Sequence, residues 1–188
     1  MKGSFLVLCI FTAVGSGVLQ AQTAGGSSAN PLSTAIKHSY DNDKLNILEA
    51  AEKVPEDAYS FKPTPDIRTF AEVLNHIASS QMHTCSTVLG SSMSYSAPAD
   101  NASKANVVAA LKASFEECDR AYGSMTDTTG MQTVKSYRGE VPKLVALMMN
   151  NEHDSDEYGV LTVYMRLKGI VPPSTARAGA ARGKGHKH

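Results

Sequence analysis

The chain has 188 residues, 42% of them hydrophobic, with 18 Lys/Arg against 18 Asp/Glu. That is one domain's length, with enough apolar material for a buried core. Every acidic residue lies between Asp41 and Glu157, whereas Lys2 stands in the N-terminal segment and Arg177, Arg182, Lys184 and Lys187 follow Pro173. The body between those ends keeps 13 basic against 18 acidic residues, a formal −5. It therefore carries no electrostatic footprint for nucleic acid.

The opening "MKGSFLVLCIFTAVGSGVLQAQT" has the three parts of a secretory signal. Lys2 gives a basic start, Phe5 to Val14 an apolar centre, and Leu19 and Ala21 the −3 and −1 positions of a cleavage site. The apolar run is too short and interrupted for a membrane span of about 20 residues. We expect residues 1–21 to be a signal peptide, the protein to be exported to the periplasm or exterior, and no stable span after cleavage. Residues 22–31 contain "TAGGSSAN", a Gly/Ser-rich flexible linker.

From there the pattern is helical. "PLSTAIKHSYDNDKLNILEAAEKV" spaces Leu32, Ile36, Tyr40, Leu45, Leu48 and Ala51 near helical intervals and stops before Pro55. "PEDAYSFKPTPDIR" is a proline-punctuated loop. Thr69 and Glu72 form a candidate capping box opening a second helix that Gly90 closes. Ser103 caps a third helix, and "TDTTGMQTVKSYRGE" is a loop. Pro142 suits the first turn of a fourth helix that ends before Gly169 and Pro172-Pro173. No segment shows sustained strand alternation. The expected fold is all-α, a four-helix bundle over residues 32–172, followed by a disordered basic tail over 173–188.

Cys85 and Cys118 remain once Cys9 leaves with the signal. In an oxidising compartment they are a candidate disulfide; the competing reading is two small buried residues on separate helices.

The fourth helix holds "NNEHDSDEYG", five ionisable residues within one and a half turns. At 100° per residue, His153 and Glu157 share a direction with Ala146, Met149, Val160, Tyr164 and Leu167, and so should face the bundle. Glu152 and Asp154 point away and should be solvated. An imidazole and a carboxylate one turn apart offer two ligands to one ion. The alternative is that Glu157 pairs with Lys or Arg and His153 is a satisfied core histidine. A further ligand must come from another helix: His76 or His83, seven residues apart on one side of the second, or His38 on the first.

"HDSDEYGVLTVYMRLKGIVPP" resembles the ending of DinB-like four-helix bundles, His-x-x-x-His-x-Gly through Tyr-x-Arg-x-x-Gly-x-Val-Pro-Pro, and "TFAEVLNHIA" resembles their segment bearing the first histidine. The resemblance spans about residues 32 to 173. It implies a divalent metal, zinc or nickel and alternatively iron, held by His76, His153 and residue 157. Here that residue is Glu157, where the family places histidine. It also implies pocket-lining or supporting roles for His83, Glu72 and Tyr164, a glycine at Gly159 for close helix approach, and a homodimer. The function implied is a metal-dependent hydrolase or thiol transferase of unknown small-molecule substrate. The alternative is a non-catalytic exported binding protein with a degenerate or structural metal site.

Overall fold

The computed structural model describes residues 29–184 apart from 93, 94 and 100. The expected signal peptide and most of the linker lie outside the described residues. Helix α1 spans Pro31–Lys53, α2 Phe70–Leu89, α3 Lys104–Gly123, α4 Lys143–Leu167 and α5 Pro173–Lys184. Two short strands, β1 (Thr133–Ser136) and β2 (Gly139–Pro142), form an antiparallel hairpin between α3 and α4.

Helices α1, α2 and α3 begin where orphan backbone N–H groups find a side-chain acceptor. In α2 the expected capping box is complete: Thr69 Oγ1 accepts from Glu72 N, and Thr69 N donates to Glu72 Oε2 at 2.5 Å. Gly90, at φ 72°, ends the helix in the left-handed region where a side chain would be strained. Ser103 caps α3 through Asn106 N. The first turn of α1 is capped from far along the chain: Leu32 N and Ser33 N donate to the Asp127 carboxylate at 3.1 and 2.8 Å. Asp127 N in turn donates to Asn30 Oδ1. Pro142 stands at the N-cap of α4, one residue before the first turn.

Helices α1 and α2 each pack against both α3 and α4, so the bundle's main contacts alternate around its circumference. The core is aliphatic and aromatic, built on Ile47, Leu74, Ile77, Leu111, Phe115, Leu147 and Leu161. Tyr40 and Tyr122 stack at its centre with ring centroids 4.0 Å apart. A bond between Cys85 and Cys118, whose Cα atoms are 5.1 Å apart, joins α2 to α3.

Three expectations need correction here. The segment read as a plain loop contains the hairpin, whose two strands are too short, at four residues each, to display alternation in sequence. The tail expected to be disordered is helical from Pro173 to Lys184. Pro173 suits a first turn, and Arg177 reaches back to Glu49 and Asn46 of α1. Gly159 is exposed, and a Cβ there would meet nothing within 4 Å, so no close helix approach requires it.

Candidate metal centre

Polar groups cross the middle of the bundle in one connected belt. Ser114 Oγ donates to Gln81 Oε1 at 2.7 Å, and Gln81 Nε2 donates to Asp154 Oδ2 at 2.8 Å. Asn150 Nδ2 donates to the same oxygen at 3.1 Å. Tyr122 donates to Asn151 Oδ1, whose amide donates to Ile36 O. Asp154 is wholly buried within this belt, contrary to the expectation that it would be solvated. Burial raises its carboxyl pKa above the ordinary range, against the opposing effect of its hydrogen bonds.

The reason lies in which line of α4 faces the core. The buried line runs Leu147, Asn150, Asp154, Tyr158, Leu161 and Met165. The apolar direction expected from sequence lies between core and rim: Ala146 and Tyr164 are buried, whereas Val160 is 38% and Leu167 60% exposed. Because the true core line carries Asn150, Asn151 and Asp154, its polarity hides it from a hydrophobic wheel. His153 and Glu157 therefore sit on the shoulder of the helix, half-buried, where α4 meets α2.

There they converge with His76. His76 Nε2 and His153 Nε2 are 3.0 Å apart, and Glu157 Oε1 lies 3.5 Å from the first and 3.9 Å from the second. The point equidistant from these three atoms is about 2.0 Å from each, within the roughly 2.0–2.2 Å of zinc–imidazole and zinc–carboxylate bonds. Two imidazole nitrogens and one carboxylate oxygen are donors that zinc, nickel and iron accept. The residues present fit a divalent ion.

The surroundings favour the same assignment. His153 Nδ1 lies 3.5 Å from Asp154 Oδ1, and neither atom has a hydrogen-bond partner among the described residues. A proton on Nδ1, facing that carboxylate, leaves the Nε2 lone pair toward His76, as in carboxylate–histidine–metal arrangements. Two ring nitrogens 3.0 Å apart need a proton or a cation between their lone pairs. Burial lowers the pKa of His76, with Arg68 and His153 adding to the effect, which favours the neutral ring that ligation requires. The pKa of His153 is raised, chiefly by Asp154. Arg68 Nη1 stands 3.9 Å from Glu157 Oε1, beyond hydrogen-bond distance, and so leaves that oxygen available.

The other candidates are placed differently. Glu72 is committed to its capping box and lies outside the triad. Tyr164 packs edge-on against Phe61, and its hydroxyl donates to Arg68 O, fixing the backbone of the loop that carries the guanidinium. His83 is exposed, two turns from His76, in the wall of a cleft that begins at the triad. His38 is exposed on α1. Sequence reasoning missed Asp154, Gln81 and Arg68. The only trace of the first was its place beside a candidate ligand.

The DinB superfamily profile matches residues 43–161, and the chain belongs to that superfamily. Its fold is similar to that of a DinB-like protein from Bacillus cereus ATCC 10987, with a TM-score of 0.62 and 17% identity over 74% of this chain and 95% of that one. A DinB-like protein from Bacillus subtilis is similar at a TM-score of 0.58 and 19% identity, covering 73% of this chain and 93% of the other. No curated protein matches significantly. Among the described residues no helix is long and apolar enough to cross a membrane.

Proposed function

We propose that this protein is an exported metal-dependent hydrolase whose ion is held by His76, His153 and Glu157. The observation that carries the reading is the convergence of three ligand atoms, all within 4.8 Å of one another, from two helices. When bound, a divalent ion supplies a Lewis acid that polarises a carbonyl or activates a nucleophile. The chain's own residues do the rest. Asp154 orients the His153 ring, and the α2–α4 shoulder leaves one side of the triad open to a cleft that admits a substrate. Arg68 offers a cation beside Glu157.

Thiol transfer is the neighbouring chemistry. Hydrolysis is favoured because the N-terminal pattern and the Cys85–Cys118 bond both suit an oxidising compartment, whereas low-molecular-weight thiol cofactors are mainly cytoplasmic. The test is turnover by zinc- or nickel-loaded protein on a panel of amide substrates and thiol-transfer pairs, before and after chelation. Chelator-sensitive amide cleavage is expected. A stoichiometric ion with no turnover on either set would instead make the protein a metal-stabilised binding module.

A further inference from the structure

The cleft that begins at His76 and His153 has a volume of about 290 Å³, at the small end of ligand pockets, which run roughly 300–1,000 Å³. It runs along the groove between α2 and α4. On α4 it is bounded by Ala146 and Met149, the turns preceding His153. On α2 it is bounded by Ser80 and Thr84, whose hydroxyls have no hydrogen-bond partner among the described residues. Its outer wall is the hairpin. Strand alternation leaves Thr133 and Lys135 exposed and turns Val134 and Ser136 inward, and Val134 packs against the edge of the core. Tyr137, 78% exposed, also lines the cleft.

No carboxylate lines this cleft. Its one ammonium, Lys135, belongs to the exposed side of the strand alternation. Lys135 and His83 are both exposed, and the wall at Val134, Ala146 and Met149 offers a charged substrate body no partner for the hydration it would lose. An apolar one would bury surface against Val134, Ala146 and Met149 and could present an acceptor to Ser80 or Thr84.

We infer that the cleft is an acyl-group subsite: it takes a neutral, apolar linear or aryl acyl chain whose carbonyl end reaches the His76–His153–Glu157 triad, and Val134 and Met149 set its length. This rests on the metal reading for the position of the reactive end, and on the cleft alone for the nature of the chain.

The experiment uses alkyl hydroxamates, whose head groups chelate zinc and whose tails differ only in length. Binding of aceto-, butyro- and hexanohydroxamate to the zinc-loaded protein is measured by calorimetry. Affinity is expected to rise about threefold to fourfold per methylene, the increment of burying one CH₂. Met149→Trp, which fills the groove, and Val134→Asn, which makes the wall polar, should flatten that rise and leave acetohydroxamate unchanged. Two variants on different elements guard against one that fails to fold, and each is checked by its melting temperature. Length-independent affinity in wild type would overturn the subsite while leaving the metal reading standing. If zinc does not bind, the metal reading fails and the subsite is tested on metal-free protein with 1-hexanol by NMR. Shifts at Val134 and Met149 would then uphold it, and their absence would overturn it.

Discussion

Asp154 follows a candidate ligand directly and has no exposed surface, and its Oδ1, without a hydrogen-bond partner among the described residues, lies 3.5 Å from His153 Nδ1. Its other oxygen is held by Gln81 and Asn150, so the carboxylate cannot turn away. Replacing it with the isosteric amide keeps the volume and removes the acceptor that fixes the tautomer of His153. Asp154→Asn should weaken zinc affinity by about 10–100-fold, the usual cost of losing a group behind a metal ligand. Competition against a chromophoric chelator measures this, with far-ultraviolet circular dichroism showing an intact fold. An unchanged affinity would mean that Asp154 serves packing alone.

Asp127 acts at the same scale and at a distance. Its carboxylate accepts from the first turn of α1, and those backbone hydrogen bonds hold its pKa below the usual carboxylate value. A lowered folded-state pKa adds stability that is fully present above the unfolded value, about 3.9, and is lost as pH falls through the folded one. Asp127→Ala should therefore melt below wild type at pH 7, and the gap should close under acid conditions below about pH 4. Thermal melts across that range decide it; a gap independent of pH would contradict the assignment.

Among the elements, the α2–α3 pair is fastened by the Cys85–Cys118 bond, which spans 33 residues. Closing a loop of that length contributes about 3–4 kcal/mol in the chain-entropy model. The double variant Cys85→Ala/Cys118→Ala should melt well below the oxidised protein, and unfolded protein lacking residues 1–21, recovered without reductant, should titrate no free thiol. Two free thiols would contradict the bond. How far elements were legible in the sequence follows from where their determinants lie. The ends of α2 are written locally, in Thr69, Glu72 and Gly90, and were readable from them. The N-terminal cap of α1 comes from Asp127, some 94 residues away, which no local pattern announces. The hairpin escaped notice because four-residue strands span only two periods of alternation, too few to stand out in sequence. The helix beyond Pro173 escaped because its docking depends on Arg177 reaching Glu49, a contact made only once α1 is in place.

For the whole molecule, the four-helix framework was visible in apolar spacing, whereas the grouping of His76 with His153 and Glu157, which the structure brings together, was implied only by the resemblance to DinB-like bundles, since spacing left the partner of His153 and Glu157 open. What spacing misjudged was the rotation of α4. A bundle with a polar belt through its middle breaks the equation of apolar with inward, so Asp154, on the core line, read as surface. That same rotation puts His153 and Glu157 on the shoulder, beside a cleft, where an ion would keep positions open to a ligand. Elemental analysis of purified protein and calorimetric titration of zinc into the chelator-treated protein, compared with His153→Ala and Glu157→Ala, tests this account most directly. It predicts one ion per chain in wild type, a raised melting temperature on loading, and loss of both in each variant. A wild type that takes up no stoichiometric metal, with a melting temperature indifferent to zinc and nickel, would contradict it.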